Sequence, residues 1–112
     1  MPLGRFLEIS LAATDVAESL AFYESLGFVQ ASVGEAWPHP YAVVTDGRLS
    51  LGLHRADIAS PLPTWVAPAL RERLDTLAAL GVTVEDVWLD DVSLHQALLR
   101  DPSGQPLRLL EA

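Results

Sequence analysis

The chain has 112 residues, half of them apolar and a fifth charged, which is the size and composition of one compact soluble domain. It contains no cysteine, and this excludes a disulfide framework, a thiolate metal site and cysteine nucleophilic catalysis. Fifteen acidic residues and seven arginines give a net charge of −8. The sequence offers no basic stripe for a phosphate backbone, so we expect no nucleic-acid partner. A small cationic ligand, in contrast, would be attracted to the negative charge.

The first predicted element is a strand over residues 5–13. Its polar residues, Glu8 and Ser10, are two positions apart, and this spacing places both on one face of a strand. Ile9 and Leu11 then lie on the opposite face. The pattern predicts a strand with one apolar face and one polar face.

A helix is predicted over residues 15–26. Asp15 is a suitable N-cap and Glu18 is its capping-box partner. Gly27 fits the left-handed position after the last turn. The apolar residues recur at helical spacing; they are Val16, Leu20, Tyr23 and Leu26.

Three strands follow, over residues 28–33, 41–45 and 49–54. The first two are separated by a loop that contains Trp37 and His39 between and beside prolines, and the last two by Asp46-Gly47, a strong hairpin signal. The first half of the chain therefore reads β-α-β-β-β.

The second half repeats the first at a shift of 54 residues. This shift superimposes Leu20 on Leu74 and the helix-ending Gly27 on Gly81, and such internal repeats indicate repeated structural units. Pro68 suits a first-turn position of the second helix. The remaining strands are expected over residues 82–88, 92–100 and 105–111, with turns at Asp90-Asp91 and 101–104.

One predicted strand is disrupted. The stretch that should open the second half, residues 61–66, contains Pro61 and Pro63. Because proline cannot donate to a strand ladder, we expect this strand to be short, at an edge or irregular.

Two βαβββ modules, residues 1–56 and 57–112, predict one α+β domain. Its curved mixed sheets should enclose a cleft, with the helices on the outer faces. The polar residues on strand faces are then candidates for the cleft lining; they are Glu8, Ser10, Ser50, His54 and Arg108.

The sequence also resembles a known superfamily. Residues 7–28, LEISLAATDVAESLAFYESLGF, and the turn DPSGQ at 101–105 resemble the opening and the closing turn of the vicinal oxygen chelate superfamily. This group contains glyoxalases, ring-cleaving dioxygenases, epimerases, fosfomycin-modifying enzymes and metal-free bleomycin resistance proteins. The resemblance covers essentially the whole chain and implies the fold described above.

The same resemblance identifies four positions where the enzymes hold a divalent metal. Here they correspond to Glu8, which can ligate, to a position near Gly52, to Leu62 and to Arg108. Leucine and glycine offer no donor, and a guanidinium cannot ligate a metal. His54 lies on the same face as Gly52 and could substitute for it. We therefore expect no metal and no other cofactor, and a Glu8–Arg108 ion pair in the place of the metal.

Aromatic residues near the cleft complete the expected site. Trp37, Tyr41 and Trp65 could stack on an aromatic or cationic ligand, although core packing is the alternative for each tryptophan, Trp88 included. His54 could instead be a strand-end residue in water. His39 is interpreted as a loop residue, and no role is assigned to His95.

The sequence thus favours metal-independent binding or sequestration of a small molecule, in the manner of bleomycin-type antibiotic resistance proteins. The expected ligand-binding residues are Glu8, Ser10, Trp37, Tyr41, His54, Trp65 and Arg108. One alternative is a glyoxalase- or dioxygenase-type enzyme with a divalent metal at Glu8 and His54, and another is a structural module. We expect a homodimer. The sequence shows neither a signal peptide nor a membrane span, so we also expect a cytoplasmic location with no membrane partner.

Overall fold

The computed structural model describes residues 3–32, 37–89 and 95–111. These residues form eight strands and two helices: β1 Arg5–Ala12, α1 Val16–Ser25, β2 Val29–Ala31, β3 Tyr41–Thr45, β4 Ser50–His54, β5 Leu62–Ala67, α2 Leu70–Ala79, β6 Val84–Trp88, β7 Gln96–Arg100 and β8 Pro106–Glu111. None of the helices in these three ranges is long and apolar enough to cross a membrane. The observed element order is the predicted pair of βαβββ modules, and the α+β prediction is confirmed.

The chain divides into two compact units. The first unit is Glu8–Leu62, and the second unit is Met1–Leu7 with Pro63–Ala112. The division falls within β1 and within β5. The predicted description as a single domain with modules 1–56 and 57–112 stays a prediction.

The first unit contains strands in the order β2-β3-β4-β1. β3 and β4 are antiparallel and β4 and β1 are parallel, so that Ser10 lies opposite Gly52. Helix α1 packs with Ile9 and Leu11 against a core of buried residues on β3 and β4, namely Val44, Leu51 and Leu53. Side chains alternate along a strand, and this alternation places Glu8 and Ser10 on the face away from α1, as predicted.

Helix α1 begins where the capping pattern predicts. Asp15 has the extended backbone of an N-cap, and its side chain accepts a hydrogen bond of 3.1 Å from the N–H of Glu18. This contact satisfies one of the otherwise unpaired amides at the helix start. The helix ends at Ser25, and Gly27 follows with a φ of 97°, a conformation that costs glycine little.

The second unit has the order β5-β8-β7-β6. Its core is formed by α2 and the inner strands, with Leu70, Leu74, Leu77, Ala97, Leu99 and Leu109 buried. Like α1, α2 has ten residues and is followed by a positive-φ glycine, Gly81. The sequence repeat therefore corresponds to a structural repeat.

Two details differ from the sequence predictions, and a third falls outside the described residues. β5 is a six-residue strand and not a short or irregular one, because its ladder with β8 starts at Thr64, beyond Pro63. Pro68 is not in the first turn of α2; Ala69, with a φ of 51°, is the N-cap, and the helix starts at Leu70. The turn at Asp90-Asp91 and the start of the strand predicted at 92–100 lie outside the described residues.

Candidate functional site

A cluster of buried polar residues lies on the face of the first unit that points away from α1. Glu8 and Ser10 come from β1, and His54 comes from the adjacent strand β4. Ser10 Oγ donates to Glu8 Oε2 at 2.7 Å, and His54 Nε2 donates to the same oxygen at 2.6 Å. Their exposed fractions are 3% for Glu8 and 0% for the other two. A buried carboxylate is tolerated when it is hydrogen-bonded in this way.

Gly52 provides the space for that carboxylate. A Cβ atom built on Gly52 would lie 1.6 Å from Glu8 Oε2 and 2.2 Å from Cδ. Any other residue at this position would therefore collide with the Glu8 side chain. In the sequence, Gly52 counts only as a metal-ligand position without a donor, whereas in the structure its missing side chain makes the Glu8–His54 pair possible.

His54 is also the centre of an aromatic cluster, which consists of Trp37, His39, Tyr41 and His54. His39 Nε2 lies 2.8 Å from His54 Nδ1, within hydrogen-bond distance. The Trp37 ring approaches the His54 ring edge-on, with centroids 4.8 Å apart. Tyr41, which pairs with His54 in the β3–β4 ladder, is stacked on it at 5.9 Å. His54 is thus hydrogen-bonded to Glu8 and contacts the other three rings of the cluster.

A groove of about 710 Å³ opens beside this cluster. Its lining residues are Gln30, Ala31, Ser32, Trp37, His39, Pro40, Tyr41 and Ala42. Three of the four rings of the aromatic cluster therefore form part of its wall. A volume of this size is in the range of small-molecule sites.

Not all of the predicted site residues line the groove. Trp37 and Tyr41 line the groove, while Glu8, Ser10 and His54 are buried beneath its wall. Their role as direct ligand contacts stays a prediction.

The other two predicted site residues, Trp65 and Arg108, lie in the second unit. Trp65 packs edge-on against Phe6, with ring centroids 5.4 Å apart. Arg108 is 4% exposed, and its Nε donates to Thr64 Oγ1 at 3.3 Å. The predicted ion pair between Glu8 and Arg108 stays a prediction.

Sequence reasoning missed His39. The interpretation as a loop residue is right about its position, since it precedes β3, but it overlooks the contact with His54. A signal was present: His39 is two residues before Tyr41, and in an extended segment that spacing places both on one face. The third histidine, His95, pairs with Glu111 at 2.9 Å in the second unit, where both side chains are about one-third exposed.

The residues of the first unit do not fit a divalent metal. Both ring nitrogens of His54 are engaged by protein groups, and Glu8 Oε2 already accepts two hydrogen bonds. Leu62 is buried and has no donor atom. Across residues 3–32, 37–89 and 95–111, no three His, Asp or Glu side chains are grouped so that they could hold a metal ion.

Comparison of the sequence with family models and with curated proteins finds no match. Solved structures do match in fold. A glyoxalase/bleomycin resistance protein/dioxygenase superfamily member from Vibrio splendidus 12B01 has 15% identity and a TM-score of 0.57, with 96% of this chain and 99% of that chain covered.

Two further structures have the same fold. A hypothetical protein from Bacillus halodurans C-125 has 15% identity, a TM-score of 0.67 and coverage of 96% and 94% of the two chains. A methylmalonyl-CoA epimerase from Mycobacterium tuberculosis has 12% identity, a TM-score of 0.61 and coverage of 96% and 87%. At these identities the likeness concerns the fold, and it confirms the fold implied by the sequence resemblance.

Proposed function

From the fold of the glyoxalase/bleomycin resistance protein/dioxygenase superfamily, we propose that this chain binds a small planar aromatic molecule without a metal ion. The observation that carries the proposal is the groove whose wall contains Trp37, His39 and Tyr41. Aromatic side chains bury large areas and contribute about 0.5–1.5 kcal/mol per ring pair beyond that burial. A planar ligand can use the same contacts.

The buried polar residues support this wall. The Glu8 carboxylate holds the His54 ring through the 2.6 Å contact between Oε2 and Nε2. His54 in turn contacts the three outer rings of the cluster, which are Trp37, His39 and Tyr41. Preorganised contact residues lower the entropic cost of binding. In this proposal the ligand meets the outer rings, and Glu8 and His54 hold those rings in position.

An aromatic ligand is favoured over a cationic one at this place. The carboxylate that contacts the aromatic cluster, through His54, is that of Glu8, which is 3% exposed and already hydrogen-bonded by Ser10 and His54. It is therefore not available to neutralise a cation in the groove. The net charge of −8 would attract cations to the whole surface, but it does not direct them to this site.

The test is a ligand screen by thermal shift and calorimetry on protein treated with a chelator. An aromatic ligand at about one hundred times its dissociation constant should stabilise the protein by about 2.7 kcal/mol. Trp37→Leu should weaken binding about tenfold, which corresponds to a loss of about 1.4 kcal/mol of binding free energy. Trp88→Leu is the matched control, because Trp88 is 39% exposed on β6 in the second unit and should leave binding unchanged.

Two outcomes would contradict the proposal. The first is the absence of any stabilisation across aromatic compounds, which would favour a structural module. The second is a stoichiometric divalent metal bound through Glu8 in the purified protein, which would favour an enzyme. Homodimerisation and a cytoplasmic location stay predictions from the sequence.

A further inference from the structure

The two helices differ in the chemistry of their exposed surfaces. The shift of 54 residues that relates α1 to α2 superimposes three apolar residues of α1 on three polar or charged residues of α2. All six residues are exposed. The pairs are Ala17 and Arg71, Ala21 and Asp75, and Phe22 and Thr76.

α1 is also the less buried of the two helices. It contains no buried residue, whereas α2 buries Leu70, Leu74 and Leu77. On α1, Phe22 is 59% exposed and Leu26, one turn later, is 61% exposed. Exposed apolar surface of this kind marks interaction sites, and α2 shows that a polar surface is compatible with the same place in the repeat. The outer face of α1, as the term is used below, consists of Ala17, Ala21, Phe22, Ser25 and Leu26.

Two glutamates border the outer face of α1. Glu18 is four residues before Phe22 and Glu24 is three residues after Ala21, and residues at these spacings are neighbours on a helix. Both glutamates are exposed, and neither carboxylate forms an ion pair within residues 3–32, 37–89 and 95–111. α1 contains no basic residue. The surface therefore combines an apolar centre with a negatively charged border.

We propose that the outer face of α1 docks a basic amphipathic helix of a partner protein, with its apolar residues against Phe22 and Leu26 and its lysines or arginines beside the two glutamates. Ala17 and Ala21 have small side chains, so a partner helix can approach α1 closely. An amphipathic helix presents its apolar residues in one stripe that matches such a surface. The groove is lined by residues within 30–42, so this docking surface is separate from the proposed ligand site.

The charge of the surface favours this partner over a second copy of the chain. Two outer faces related by a twofold axis would bring four glutamates into one interface, between chains that each have a net charge of −8. Like charges placed across an interface oppose association. An anionic lipid surface would be repelled for the same reason, whereas a basic helix pairs its charges with Glu18 and Glu24.

Calorimetry with a synthetic peptide tests the proposal. The probe is an amidated peptide of about fourteen residues, with leucine at helical spacing and lysine at the other positions. We expect it to bind to the protein with an affinity that falls as salt is added. A peptide with glutamate in place of lysine, and a scrambled peptide of the same composition as the probe, should each bind at least about tenfold more weakly.

Substitution with the residues of α2 locates the contact. The double variant Ala21→Asp with Phe22→Thr removes the apolar centre and makes the chain more acidic, so docking should weaken about tenfold, whereas non-specific attraction between charges would become stronger. The matched control is Ala78→Asp with Leu80→Thr. Both of these residues are exposed, Leu80 at 65%; the control changes the charge equally and should not weaken binding.

The backbone amide chemical shifts of the wild-type protein give a readout that does not depend on whether a variant folds. The probe should perturb the signals of residues 16–26. Perturbation confined to other segments, an affinity that the α1 double variant leaves unchanged or raises, or equal binding of the scrambled peptide would overturn the proposal.

Two further measurements separate the other occupants of this surface. Sedimentation should show no self-association of the wild-type chain that depends on the outer face of α1; a dimer that the α1 double variant dissociates would overturn the proposal in favour of a second copy. Vesicles of phosphatidylcholine and phosphatidylglycerol should not bind the protein. Binding to them that the same variant abolishes would overturn the proposal in favour of a lipid surface.

Discussion

Gly52→Ala is expected to be severely destabilising, although it adds only one methyl group. Gly52 lies within β4 and does not have a positive φ, so an alanine backbone fits without strain. The new Cβ atom, however, would lie 1.6 Å from Glu8 Oε2 and 2.6 Å from Oε1. The carboxylate has to move, and it cannot do so while keeping its bonds to Ser10 and His54.

The cost can be worked out from those lost contacts. The hydrogen bonds from Ser10 and His54 to Glu8 are buried and involve a charged acceptor, and such bonds are worth about 1.5–3 kcal/mol each. Breaking a buried pair so that a charge is left without its partner costs about 3–5 kcal/mol. We therefore expect Gly52→Ala to lower the free energy of unfolding by about 3–5 kcal/mol.

Urea unfolding of a double-mutant cycle measures this effect. In a Glu8→Ala background the carboxylate is absent, so Gly52→Ala should cost less than about 1 kcal/mol, which gives a coupling energy of at least about 2 kcal/mol. Gly27→Ala is the control, since nothing lies within 4 Å of its Cβ position and only its positive φ resists the change, at about 1–2 kcal/mol. A cost of Gly52→Ala that is small, or equal in both backgrounds, would refute the argument.

Three further predictions concern features outside the site. Asp15→Ala should destabilise the protein by about 1 kcal/mol, measured by urea unfolding, because the N–H of Glu18 loses its cap; no change would mean that the cap is not formed. The backbone N–H groups of its turn hold the pKa of Asp46 below its ordinary value of 3.8. The wild-type advantage over Asp46→Asn should therefore be present above that value and disappear as the pH falls below it; an advantage that grows in acid would contradict this sign. The hydrogen bond from Arg100 lowers the pKa of Glu85, and the two side chains are 41% and 39% exposed. Any destabilisation by Glu85→Gln should therefore shrink as salt is added, and an effect that is independent of salt would contradict a surface pair.

Local patterns predicted most of the fold because the relevant contacts are close in sequence. The capping pair Asp15 and Glu18 located the start of α1, and the alternation of Ile9 with Glu8 and Ser10 identified the polar face of β1. The internal repeat then predicted α2 from α1. Each of these rests on a helical or strand period that one segment displays by itself.

The predictions that failed depend on where a backbone group points. Because of Pro61 and Pro63, β5 was expected to be short, at an edge or irregular; it is neither short nor irregular, since it has six residues and its ladder with β8 starts at Thr64, beyond Pro63. Pro68 was expected in the first turn of α2, but Ala69, at a left-handed φ, is the N-cap and the helix starts at Leu70. Neither register nor φ can be read from residue type alone.

The contacts within the site could not be predicted from local sequence patterns either, because they are tertiary contacts. Glu8 and His54 were selected from the sequence as polar residues on strand faces, and they meet because β1 and β4 are neighbours. His39 is 15 residues from His54 and joins it only through the folded loop. Gly52 carries no side chain, and its role becomes visible only when the space occupied by the Glu8 carboxylate is known.

The most direct test of the central claim is a calorimetric titration of an aromatic ligand, 2-naphthol, into protein from which a chelator has removed metal ions. We predict one binding event per chain with an affinity that added divalent metal does not change and that Trp37→Leu weakens. Binding that appears only after a divalent metal is added, or that is indifferent to Trp37, would contradict the account.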